Sequence, residues 1–260
     1  MIAIQLIVQH ALPGIFAGPG RTRQAEDEGA IGYAGDCARG NGGGAHGLIG
    51  DVSKQLSEAL DGAIEHVSVQ GTEVRCSVIG DKDAVGICGS GLLDAIAGLR
   101  MVGLIDSSGR LQESGSPLSK RMQGQGSKAR FLLADDDAPV QITQRDIREF
   151  QLAKSAIRTG IEILLEEASI SIDKIDRVFI GGAFGSSLRP ESLLRVGLLP
   201  RIPQDRIVPV GNCAGQGAKL ALLNRKDMQR VETLQQRVQH VELSSCKTFQ
   251  RRFVDHMGFP

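Results

Sequence analysis

Tryptophan is absent from the 260-residue chain, and its other aromatics are eight Phe and a single Tyr. So few ring faces leave little for base stacking, the usual grip on single-stranded nucleic acid. Net charge is missing too, because thirty Lys and Arg balance thirty Asp and Glu. Nucleic-acid binders carry a basic excess that neutralises phosphates, so a nucleic-acid partner is not expected. Cysteine is sparse: the five residues at 37, 76, 88, 213 and 246 form no C-x-x-C pair. An odd number at wide spacing fits reduced thiols of a cytoplasmic protein and supplies neither a zinc nor an iron–sulfur site. His10, His46, His66, His240 and His256 show no metal-ligand spacing, so no metal site is expected. Long apolar runs are lacking as well, which argues against a membrane span. Met1 to Gly20 holds no Lys, Arg, Asp or Glu, yet no basic segment precedes its apolar residues. Gln5, Gln9 and His10 interrupt them and no A-x-A site follows, so a secretory signal is not expected.

Glycine is what the chain has in excess. Its 33 residues are nearly twice the usual share of about 7%. They fall in short runs without a period, which excludes collagen and flexible linkers. Residues 1–56 form a poorly defined Gly-rich region. Its stretch GYAGDCARGNGGGAHG has neither helical nor strand periodicity and reads as loop or disorder. It lacks the flanking strand and helix that a phosphate-cradling loop needs. Residues 57–260 are orderly and read as one domain.

Within that domain, residues 73–79 alternate as a half-buried strand should, with Val74, Cys76 and Val78 on one face. GICGSG (86–91) opens an apolar helix over 92–102, and a Ser/Gly/Gln-rich loop spans 106–128. Short strands are expected at 131–133 and 140–142. Thr143 is an N-cap with Asp146 three residues on, approximating a capping box, and it begins the longest helix, to about Ala168. Ile147, Phe150, Ile157, Ile161, Leu164, Leu165 and Ala168 form its apolar stripe. A strand at 177–180, a short helix opened by Pro190, a strand at 207–210 and helices at about 226–240 and 245–257 complete the order. Strands and helices in this sequence predict an α/β layered domain.

Three glycine turns sit between regular elements. In VFIGGAFG, the strand runs straight into Gly181 and Gly182. Such a pair either lets a ligand approach without a Cβ in the way or serves a tight turn needing positive φ. GNCAGQGAK (211–219) is no Walker A motif, since Lys219 is followed by Leu. Its small residues read mainly as close helix–sheet packing. GICGSG fails the G-x-G-x-x-G spacing; Ser90 is placed to cap the following helix, and Cys88 reads as structural. No G-x-S-x-G elbow occurs, and Glu166–Glu167 and Asp135–Asp137 read as solvated surface. The catalytic residues are therefore not identified.

Eight segments in order resemble one family: GAIEHV (62–67), VIGD (78–81), GICGSGLLDAIAGL (86–99), ITQRDIREFQLAKSAIRTGIEILL (142–165), VFIGGAFGSSLRPESLLRVGLLP (178–200), VGNCAGQGAKLALLN (210–224), VELS (241–244) and FVDHMGFP (253–260). The family is the reductive activators of corrinoid proteins, whose C-terminal domain belongs to the actin, Hsp70 and sugar-kinase class of ATPases. The resemblance covers about residues 60–260. It implies a ribonuclease-H/actin-like ATPase fold with an incomplete N-terminal lobe. It further implies ATP with Mg²⁺ as cofactor, and a cytoplasmic role in returning the cobalt(II) corrinoid protein of a methyltransferase system to cobalt(I). The electron would come from a [2Fe–2S] ferredoxin domain or another donor. On the family pattern Gly181, Gly182, Ala183, Phe184 and Gly185 form the adenosine turn, and Gly89, Ser90, Lys154 and Asn212 supply further nucleotide or hinge contacts.

Two family features are missing from the sequence: the four cluster cysteines and the phosphate-binding D-x-G-T-N-x-E segment. The expectation is thus a fragment of a reductive activase, without an iron–sulfur cluster and inactive alone. Loss of about four phosphate hydrogen bonds removes about 2–6 kcal/mol of binding, roughly 30-fold to 10⁴-fold in affinity. The alternatives are a docking module for a corrinoid protein that binds no nucleotide, and a small-molecule kinase, which lacks an identifiable catalytic Asp. A homodimer is left open.

Overall fold

The computed structural model describes residues 61–80, 82–134, 139–182 and 187–260. The Gly-rich region 1–56, the Asp135–Asp137 loop and the turn residues Ala183, Phe184 and Gly185 lie outside the described residues.

Strand β1 (Ala63–Gln70) turns through Gly71 and Thr72 into the antiparallel β2 (Glu73–Val78), with Gln70 opposite Glu73. Gly71 takes a φ of +57°, as a two-residue hairpin loop requires. On its other side β1 pairs in parallel with the short β3 (Gly86–Ile87), so β1 is the centre of this sheet. Helix α1 (Gly89–Met101) lies against β1 with ten of its thirteen residues buried. Two glycines allow that approach. A Cβ on Gly91 would stand 2.3 Å from the Ile64 carbonyl oxygen, and one on Gly98 would stand 2.5 Å from Val69 Cγ2. Ile64, Ile96 and Leu99 are wholly enclosed between the two layers.

The predicted 106–128 loop contains one strand, β4 (Met122–Gln123), at the edge of an antiparallel sheet with β5 (Arg130–Ala134) and β6 (Val140–Thr143). Phe131 of β5 is fully enclosed in the core. Thr143 then caps α2 (Gln144–Glu167). Its hydroxyl accepts from Asp146 N at 3.3 Å, while the Asp146 carboxylate accepts from Thr143 N at 2.7 Å. This reciprocal pair satisfies two helix-end donors, as the sequence pattern predicts.

The face that α2 buries is not the expected apolar stripe. Phe150, Ile157, Ile161 and Leu164 are only partly covered, whereas Gln151, Lys154, Ser155 and Thr159 are buried alongside Ile147 and Ile163. The reason is what packs there. Helix α6 (Phe249–Asp255) and the residues after it bring backbone carbonyls to that face, and buried carbonyls require donors.

The remaining elements are β7 (Val178–Gly181), α3 (Pro190–Arg195), β8 (Ile207–Gly211), α4 (Cys213–Leu223) and α5 (Arg225–Gln235). β7 and β8 pair in parallel, as a crossover through α3 requires. The last two predicted helices are shorter than the sequence suggested. Asn224 ends α4 and caps α5 through its side chain, and α5 stops at Gln235. Among the described residues no helix is long and apolar enough to cross a membrane.

Candidate functional site

The carboxyl ends of β7 and β8 meet at a pair of glycines. Gly182 N donates to the Gly211 carbonyl at 2.8 Å, and both residues have positive φ, +114° and +64°. Among the described residues nothing lies within 4 Å of where a Cβ of Gly182 would stand. The turn therefore presents open backbone at the strand ends, the position where ligands of α/β sheets bind. Gly181 has a different reason to be glycine. Its absent Cβ would meet Cys213 Sγ at 2.3 Å, so the thiol backs the turn.

The other expected contacts divide by what already occupies them. Asn212 caps α4: its Oδ1 accepts from Gly215 N at 2.9 Å, and its Nδ2 lies 2.8 Å from where a Cβ of Gly215 would stand. Gly89 is the first residue of α1. Ser90 does not cap that helix. Its buried hydroxyl donates to the Glu65 carbonyl at 2.8 Å and so pins α1 to β1, while Cys88 holds the N-cap position without a side-chain capping bond, its Sγ lying 3.1 Å from Ser90 Oγ. Cys88 is buried, in keeping with a structural thiol.

Lys154 is spent on the C-terminal segment. Its ammonium donates to the His256 carbonyl at 2.7 Å and the Gly258 carbonyl at 2.5 Å, and stands 5.1 Å from the centre of the Phe259 ring. Burial, followed by the charge of Arg158, pushes its pKa down from 10.5 to about 8. Gln151 Nε2 donates to the Met257 carbonyl at 2.7 Å, and the Ser155 hydroxyl donates to the Phe253 carbonyl.

The sequence reading overlooked Asp94. It is 3% exposed in α1, surrounded in sequence by Leu92, Leu93, Ala95 and Ile96. Its Oδ1 accepts from Ser192 Oγ at 2.6 Å, and its Oδ2 faces His66 Nδ1 at 3.0 Å and Arg189 Nε at 3.5 Å. A lone acid inside an apolar helix was the available signal, since a buried carboxylate requires partners. Among the described residues no group of three or more His, Cys, Asp or Glu side chains is placed to hold a metal ion.

A family model described as the C-terminal domain of RACo, the ASKHA domain, matches residues 46–260. The corrinoid activation enzyme RamQ of Eubacterium limosum is 32% identical over 208 residues, which are 76% of this chain and 35% of that protein. A [Co(II) methylated amine-specific corrinoid protein] reductase of Methanosarcina barkeri is 25% identical over 179 residues, 68% of this chain and 30% of that protein. A solved structure, a reductive activator for corrinoid, iron–sulfur protein, superposes with a TM-score of 0.73 at 34% identity, covering 80% of this chain and 34% of that one. The chain thus spans about one third of the length of these relatives.

Proposed function

Because the chain belongs to the family of RACo C-terminal ASKHA domains, we propose that it is the nucleotide-responsive part of a reductive activator of corrinoid proteins. In this reading ATP binds over the Gly181–Gly182 turn, and the cytoplasmic system it serves returns a methyltransferase's corrinoid protein from cobalt(II) to cobalt(I). The observation that carries the reading is the open, positive-φ glycine pair at the carboxyl ends of two parallel strands. A planar base can lie on such backbone without displacing a side chain. The described residues offer no carboxylate cluster for Mg²⁺, so the ion would arrive on the nucleotide's phosphates, and no step is assigned to it. In this reading the electron is supplied by a ferredoxin domain or another electron donor, and no electron-carrying step is assigned to the described residues. The contribution of this chain is energetic. Nucleotide favours docking to the corrinoid protein only insofar as it binds the docked state more tightly.

Thermal unfolding with and without Mg-ATP tests the proposal. Nucleotide at 100 times its Kd stabilises a folded chain by about 2.7 kcal/mol. Gly182→Val should abolish that shift, because a β-branched residue does not adopt a φ of +114° without strain. Alkylation gives an independent readout. Cys213, exposed behind the turn, should be protected from iodoacetamide by ATP. Cys246, whose thiol a hydrogen bond shared with Thr248 holds below its usual pKa, should react equally with and without it. An unchanged shift in Gly182→Val, or unprotected Cys213, places the nucleotide elsewhere.

A docking module that binds no nucleotide is the second reading, favoured by the exposed leucines of α4. Leu222 is 87% and Leu223 74% exposed. Retained binding to a corrinoid protein without any ATP-dependent shift would select it.

A further inference from the structure

Helix α3 is only six residues long and has no side-chain cap of its own. One turn and a half of helix does not hold its place unaided, so its position depends on ties to the rest of the fold. The tie is Asp94. Arg189, the residue before the first turn of α3, and Ser192, within it, both reach this one carboxylate on α1. The same carboxylate faces His66 on β1. Three elements therefore converge on a single buried acid. One of them is, among the described residues, the first helix after the Gly181–Gly182 turn.

Neutral packing would have joined α3 to α1 at lower desolvation cost, since a buried carboxylate is tolerated only when its oxygens are fully partnered. Here each oxygen has a partner, and the partners come from distant parts of the chain. Ser192 is 98 positions from Asp94, and His66 is 28. His66 and Arg189 both stay partly accessible, with side-chain exposures of 23% and 38%.

We infer that Asp94 is a positioning residue for the nucleotide turn, holding the chain that leaves the turn, at Arg189 and Ser192, against α1 and β1. This rests on the nucleotide reading proposed above. Asp94 touches no nucleotide; it fixes the downstream anchor from which the turn is suspended. By reciprocity, nucleotide held at the turn also strengthens the tie of α3 to Asp94.

Ser192→Ala is the test, because it removes the hydroxyl and leaves the acid with two other partners. Amide exchange over residues 187–196 should accelerate about tenfold while β1 (63–70) is unchanged, and ATP affinity should fall about tenfold, the loss expected for one hydrogen bond to a charged group. Ser192→Thr, which keeps the hydroxyl, should restore both. Asp94→Asn should move both readouts in the same direction as Ser192→Ala. If that variant does not fold, the Ser192 pair decides alone. Unchanged exchange at 187–196 in Ser192→Ala would overturn the tie. Faster exchange with ATP affinity intact would overturn the positioning role and leave the nucleotide reading standing. Absence of any ATP-dependent shift in the wild-type chain would overturn both.

Discussion

Helices α1 and α4 begin alike and end differently. Each follows a strand and a glycine-rich turn, GICGSG in one case and GNCAGQG in the other, and each continues into Leu- and Ala-rich sequence. Yet α1 buries ten of its thirteen residues, while α4, and α5 after it, bury none. The difference lies in what each helix meets. α1 lies on β1, the central strand of its sheet, and Gly91 and Gly98 let the backbones approach closely. The strand before α4 pairs only with β7 among the described residues, and past the buried Ile207 one face of the pair stays open, with Phe179 36% and Val210 40% exposed. Parallel strands are ordinarily covered on both faces. An apolar helix sequence thus specifies a helix that can be buried, and the opposing surface decides whether it is.

The comparison predicts unequal costs for equal deletions. Leu99→Ala in α1 should destabilise the chain by about 2–5 kcal/mol in urea unfolding, because Leu99 is fully enclosed and a cavity remains. A cost below 1 kcal/mol would mean that α1 is no better supported than α4.

Lys154→Met asks whether the polar buried face of α2 acts as core. It leaves the His256 and Gly258 carbonyls without their donor and should cost about 1–3 kcal/mol near pH 7. The same residue gives the pH dependence its sign. The folded state lowers the pKa of Lys154 to about 8 from 10.5. Between those values the unfolded chain binds more protons, so wild-type stability should rise with pH through that window relative to Lys154→Met. Parallel urea titrations of the two proteins at pH 7 and pH 10 check this. A wild-type curve that falls relative to the variant would overturn the assignment.

Thr143→Ala removes one half of the capping box of α2 and should cost about 1 kcal/mol. Leu222→Ala in α4 should fall within about 0.5 kcal/mol, the range of exposed substitutions. A large loss there would show that α4 is covered in solution and would erase the contrast with α1.

What the sequence disclosed follows the range of the interactions involved. The capping box of α2, the alternation of β2, the strand before the glycine pair and the helix opened by Pro190 are local patterns, and each stands where the sequence places it. The α/β class and the ASKHA relationship were legible for the same reason: many short segments in a fixed order. The buried face of α2 was not legible. Gln151 and Ser155 stand outside the apolar stripe and Lys154 reads as a nucleotide or hinge contact, because the carbonyls that receive their hydrogen bonds come from about a hundred residues away. Asp94 was missed likewise, because its hydrogen-bonded partner Ser192 is equally remote. At the glycine turn, Gly181 and Gly182 look identical in sequence. Only the fold shows that one makes room for a thiol and the other takes a positive φ.

The bond from Lys154 to the Gly258 carbonyl joins residues 104 positions apart. Translation proceeds at about 5–20 residues per second, so α2 is made roughly 5–20 s before the segment that covers it. Throughout that interval a complete helix carries an unsheltered ammonium, an amide and a hydroxyl on the face that will become interior. The nascent domain cannot close there early. Its closure is timed by synthesis rather than by the intrinsic speed of helix formation, which is complete in about a microsecond.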